Sequence, residues 1–210
     1  PSHEKHLFDP LVQEFGIRLH FYIEPPGKGH IFHMLQMAMA DTYVPAGTKY
    51  ILHSDADCIF RMRTTPEDFF WEDRPYQIIK KWDDLIREGS DCIIWRPATD
   101  AQMGFSTEIY GMCMNTGVFP IGFYPKYRAH LRSTHHKPLH DYFMDGLSEH
   151  PHTNRMDWTA MNAYAWHFMK NRFTWFDTAD GVYPVDRKQA FWSHRGTTPE
   201  DVAVMEKLIA

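Results

Sequence analysis

Two aspartates separated by one residue, Asp55 and Asp57, stand in the stretch YILHSDADCIF. The residues before them are apolar, and an apolar run with an aromatic resumes at once. In an extended segment, residues two apart point the same way. Two carboxylates side by side repel unless a cation sits between them. Hard oxygen donors with one spacer suit Mg²⁺ or Mn²⁺, which keep open positions for phosphate oxygens. Carboxylates, metal and diphosphate then form one neutralised cluster. The competing reading is a solvated turn whose Asp side chains cap backbone groups. The bare pattern arises by chance about once in a chain this long. The apolar segments on both sides favour the metal reading.

The elements that must position these residues follow from periodicity. IRLHFYIE, residues 17–24, is rich in β-branched and aromatic residues and reads as a strand, with EPPGKG as the loop after it. Ile31, Met34, Leu35 and Ala38 recur at helical spacing between His30 and Asp41. KYILH is the next strand. Residues 76–88 place Ile78, Ile79, Trp82, Leu85 and Ile86 on one helical face, with Gly89 as the stop. DCIIW, residues 91–95, reads as a buried strand. This alternation predicts a largely parallel sheet covered by helices. Ligands bind such sheets beyond the carboxyl ends of the strands, where Asp55 and Asp57 lie.

The second half is less regular. NTGVFPIGFYP is broken by Gly and Pro, whereas 138–148 and 157–170 read as helices. DTADGVYPVD is a loop and AFWSH a short strand. Thr198, Pro199 and Asp201 supply the cap, first-turn proline and early acid of a last helix.

Composition bounds the rest. The 210 residues suit one domain over 1–210, and the net charge of −5 gives no reason to expect nucleic acid as a partner. Cys58, Cys92 and Cys113 make an odd count without CxxC spacing, so buried thiols are expected rather than a disulfide scaffold or zinc ribbon. No run is apolar enough to span a bilayer. Localisation stays open between the cytoplasm and, for a chain freed from a leader or anchor, the Golgi lumen.

The longer segment KYILHSDADCIFRMRTTPEDFFWEDRPYQII resembles a family of GT-A-fold nucleotide-sugar glycosyltransferases classed as a domain of unknown function. The likeness is carried by Phe60, Pro66, Glu67-Asp68-Phe69-Phe70 and Arg74-Pro75 after the DxD. MNTGVFPIGFYPKYRAHLRSTHHKPLHDYF and MDWTAMNAYAWHF resemble that family's later segments. The likeness covers most of residues 17–195, and only the DxD region is specific. It implies an α/β, GT-A-like, Rossmann-like mixed sheet flanked by helices, expected here to start at the family's second strand. It implies transfer of a sugar from a nucleotide-diphosphate donor to the hydroxyl of a glycan, lipid or small-molecule acceptor.

The resemblance assigns roles, each with a plainer alternative. Asp57 is the direct Mn²⁺ or Mg²⁺ ligand, and Asp55 binds the metal through water or holds the ribose. His194 in FWSHRG is a further metal ligand, or else a packed or surface histidine. Arg195 meets a phosphate, or is a surface cation. Lys28 replaces a basic residue that the family often carries before the DxD. Asn115 opens NTGVF, which puts small residues beside the donor sugar. Asp157 opens the MDWTAMNAY helix and is the base for an inverting transfer, or else a helix N-cap. Trp158 lines the acceptor site or belongs to the core.

Two other functions stay open. A haloacid-dehalogenase-type phosphatase also uses DxD, with Asp55 as nucleophile, but near the start of its domain. A non-catalytic relative would keep the fold and bind a ligand or partner. HHKPLH reads as a solvated segment rather than a zinc site, and DTADG as a turn rather than a phosphatase acidic motif.

Overall fold

The computed structural model describes residues 6, 9–15, 29–55, 58–60, 62–113, 116–145, 155–184, 188–190 and 198–209. In chain order the described strands are β1 (Tyr50–Ser54), β2 (Cys58–Phe60), β3 (Phe70–Trp71), β4 (Arg74–Lys81), β5 (Ile109–Tyr110), β6 (Thr116–Pro120), β7 (Thr174–Asp177) and β8 (Lys188–Ala190). The helices are α1 (Asp9–Phe15), α2 (Gly29–Ala38), α3 (Trp82–Glu88), α4 (Arg96–Met103), α5 (Phe123–His135), α6 (Leu139–Met144), α7 (Trp158–Met169) and α8 (Pro199–Ile209). The class is mixed α/β. The expected strand at 17–24 lies outside the described residues.

The described ladders are mostly antiparallel, and only the sheet around β4 is mixed. β1 pairs antiparallel with β6, from Tyr50 opposite Pro120 to Ser54 opposite Thr116. β2 pairs antiparallel with β8, and β4 antiparallel with β3 and β5. Only β4 and β7 run parallel among the described ladders. The largely parallel sheet expected from the first half is thereby corrected.

The correction has a local cause. Residues 76–88 are not one helix: β4 runs to Lys81 and α3 begins at Trp82. Pro75 to Ile79 are buried without a break, because both faces of β4 are covered. Such a strand loses the period-two alternation that would identify it. Ile78 and Ile79 of the strand then joined Trp82 and Leu85 of the helix in one false helical stripe. Nor is DCIIW a strand. Ser90 Oγ accepts from the Cys92 amide and starts a 3₁₀ turn over Asp91–Trp95, which leads into α4. Ile94 in that turn is 55% exposed, which no buried strand allows. The segment expected to be broken holds β6 and the 13-residue α5.

The core gathers α2, α5, α6 and α7 around β6. Ile31, Met34 and Ala38 of α2 meet Phe119 of β6 and Phe123, Tyr124, Tyr127 and Leu131 of α5. Trp158 to Ala165 of α7 are all buried, so the first two turns of this helix are enclosed on every side. Gly111 permits that enclosure. A Cβ there would lie 2.3 Å from Asn162 Cβ of α7, and Asn162 Nδ2 donates to the Gly111 carbonyl at 2.8 Å. Among the described residues no helix is long and apolar enough to cross a membrane.

Candidate functional site

The strand β1 sorts its side chains by alternation. Ile51 and His53 turn inward, whereas Tyr50, Leu52 and Ser54 are exposed. His53 ring centroids stand 6.0, 5.8 and 5.8 Å from those of Phe119, Tyr124 and Trp158. Its Nε2 is hydrogen-bonded to the Tyr124 hydroxyl at 2.7 Å. Burial, with a smaller push from His33, pulls the His53 pKa down to about 4, so the ring is neutral at pH 7.

This shift makes a prediction. The unfolded chain takes up a proton on this residue near pH 6.5, and the folded chain only near pH 4. Falling pH between those values therefore favours unfolding, by about 3 kcal/mol at the acid end. Urea titrations in EDTA across that window should show wild type losing this stability and His53→Gln keeping it. Equal slopes in the two proteins would contradict the assignment.

Asp55 follows at the end of β1 and is half-buried. The Cys58 amide donates to the Asp55 carbonyl at 3.2 Å. Asp57 lies outside the described residues. The carboxylate of Asp55 is engaged from the core side. Trp158 Nε1 donates to Asp55 Oδ1 at 3.4 Å, a long and weak bond.

Trp158 is the first residue of α7 and is 1% exposed. Its ring fits against β6 because position 117 is glycine. A Cβ on Gly117 would lie 3.0 Å from Trp158 Cζ3, 3.1 Å from Gln77 Oε1 and 3.1 Å from Phe119 Cε2. Asp157 caps the helix, its Oδ1 accepting from the Trp158 amide at 2.6 Å. The N-cap alternative for Asp157 is therefore observed. Asp55 and Asp157, far apart in sequence, meet the side-chain and main-chain N–H groups of the same tryptophan.

The approach to Asp157 is held by a residue that the sequence reading missed. Gln102 of α4 donates from Nε2 to the Met156 carbonyl at 2.8 Å, and its Oε1 accepts from the Met156 amide at 2.8 Å. Nε2 also donates to the Tyr127 hydroxyl at 2.9 Å. A glutamine beside buried Ala98, Thr99 and Met103 was the available signal. Thr116, opposite Ser54 in the β1–β6 ladder, carries a buried hydroxyl with no hydrogen-bond partner among the described residues. A ligand or a water is the usual answer to such an atom.

Lys28, Asp57, Asn115, His194 and Arg195 lie outside the described residues. The chemistry of Asp55 fits Mn²⁺ or Mg²⁺, since it offers hard oxygens at a half-exposed strand end. Among the described residues no three His, Cys, Asp or Glu side chains converge to hold a metal. HHKPLH is put to other uses. His135 stacks on Tyr142 at 4.1 Å and hydrogen-bonds the Gln102 carbonyl, while His136 closes α5 at φ 52°. DTADG is a turn, with Asp177 accepting from the Ala179 amide. All three cysteines are half-buried, and burial pushes Cys113 up to about 12. Compared with known families, curated proteins and solved structures, the chain matches none.

Proposed function

We propose that the protein is a metal-dependent glycosyltransferase of the GT-A type, moving a sugar from a nucleoside-diphosphate donor to an acceptor hydroxyl. The supporting observation is the junction at Trp158. A carboxylate at the end of β1 and a carboxylate at the opening of α7 are bound to one indole-bearing residue. The mixed sheet around β4, with one parallel and two antiparallel neighbours, is in keeping with this reading.

In the transfer, the acceptor oxygen bonds to the anomeric carbon as the bond from that carbon to the diphosphate oxygen breaks. The acceptor proton passes to a base, and the diphosphate leaves with the bonding electrons. Asp157 is that base in an inverting enzyme, its carboxylate held in place by the Trp158 amide. Asp55 and Asp57, with His194, would hold the Mn²⁺ or Mg²⁺ that offsets charge on the departing diphosphate. Lys28, Arg195 and Asn115 would line the donor.

The test is release of nucleoside diphosphate from a panel of UDP- and GDP-sugars in Mn²⁺. Asp157→Asn should lower kcat about 10²- to 10⁴-fold with little change in donor KM. Inertness towards every nucleotide sugar, with metal-dependent hydrolysis of p-nitrophenyl phosphate lost in Asp55→Asn, would make the protein a phosphatase instead.

A further inference from the structure

At the end of β1 away from Asp55, a cavity of about 520 Å³ opens between the start of β1, the end of β6, the start of α5 and the end of α7. Three cations line it: Lys49, Lys126 and Arg172. No acidic residue among the described ones lines it, although the chain as a whole carries a net charge of −5. Several other described cations are paired with acids, as Arg128 is with Asp41, Lys80 with Glu88 and Lys137 with Asp145. Lys49, Lys126 and Arg172 make no ion pair and no side-chain hydrogen bond among the described residues.

The helix ends do not decide the sign of the field. The start of α5 contributes about half a positive charge and the end of α7 about half a negative one. These nearly cancel, and three full charges remain. Like charges around one concavity repel, and an anion placed between them relieves that repulsion. Two aromatic rings stand at the rim beside Thr48 and Asn171: Phe168 is 50% exposed and Tyr50 39% exposed.

We propose that this cavity binds a phosphate-bearing organic molecule, its phosphate held by Lys49, Lys126 and Arg172 and its apolar body against Phe168 and Tyr50. The site is separate from the strand end that carries Asp55, and it does not depend on the glycosyltransferase reading. The phosphate can belong to a free metabolite or to a lipid headgroup.

The probe is inorganic pyrophosphate, titrated calorimetrically into the metal-free protein in EDTA. EDTA removes the divalent ion on which the proposed donor site depends. Wild type should bind, and rising salt should weaken the binding. Lys126→Glu and Arg172→Glu should each weaken it at least about tenfold. Asp57→Ala and Lys207→Glu should leave it unchanged. All of the charge-reversed side chains are exposed, so each variant is expected to fold, with circular dichroism as the check.

In a second arm, phosphatidylcholine vesicles carrying phosphatidic acid are sedimented with the protein. Co-sedimentation lost in Lys126→Glu, without a pyrophosphate titration, assigns the phosphate to a lipid headgroup. The proposal is overturned if neither probe binds at millimolar concentration. It is equally overturned if both probes bind the Lys126→Glu and Arg172→Glu variants as well as wild type.

Discussion

Trp158→Ala should destabilise the fold by about 3–5 kcal/mol. That is a large share of the roughly 5–15 kcal/mol that a domain typically has. The side chain is 1% exposed and packs edge-on to the His53 ring. It also fills the space that Gly117 leaves on β6. Chemical denaturation would show the loss as a lower midpoint with an unchanged slope. Trp158→Phe separates packing from polarity. It keeps most of the ring and should cost less, but it removes the Nε1–H that reaches Asp55. If the indole orients that carboxylate, metal-dependent nucleotide binding should weaken more in Trp158→Phe than its stability loss alone explains. Binding equal to wild type would remove the indole from the site.

Gln102→Leu should be nearly as costly, at about 3–5 kcal/mol, for a different reason. The volumes are similar, so no large cavity forms. What is lost is the pairing of the Met156 N–H and C=O and of the Tyr127 hydroxyl, all of them buried. Each orphaned group costs about 1–3 kcal/mol, partly offset by the apolar side chain. Tyr127→Phe removes only one of these bonds and should cost about 1 kcal/mol. Met156 directly precedes Asp157, so the amide clamp also sets where the proposed base stands. Gln102→Leu should therefore lower kcat while leaving Mn²⁺-dependent nucleotide binding intact. A variant that folds and turns over like wild type would show that the clamp serves stability alone.

Several elements were legible because one local signal sufficed. α2 shows its buried stripe in Ile31, Met34 and Ala38. α8 starts where Thr198 and Asp201 exchange side-chain and main-chain hydrogen bonds, as the cap pattern predicted. β1 is apolar and short, and ends at the acid. Other elements were hidden by their neighbours. β4 is buried on both faces and abuts α3 without a turn residue, so the two merged into one apparent helix. α5 carries Phe123, Tyr124, Tyr127 and Leu131 at helical spacing, but Gly122 and Pro125 obscured it. Pro125 is tolerated because it falls in the first turn, where an amide lacks a helical partner anyway.

The site was legible in types and not in relations. Asp55 and Asp157 were both singled out, as a strand-end acid and a helix-opening acid. Their connection through Trp158 arises from tertiary packing across 103 positions. The roles of Gly117 and Gln102 have the same origin. A glycine in a strand and a glutamine on an apolar helix face name no partner until the helices are docked.

In the proposed function Asp55 and Asp57 bind a metal and a nucleoside diphosphate together. The most direct measurement is a calorimetric titration of UDP, then GDP, into the protein in Mn²⁺, repeated with Asp57→Ala. One nucleotide is expected to bind wild type only when Mn²⁺ is present, and Asp57→Ala is expected to abolish this binding without unfolding the protein. Binding that ignores Mn²⁺ or survives in Asp57→Ala would contradict it, as would the failure of both nucleotides to bind.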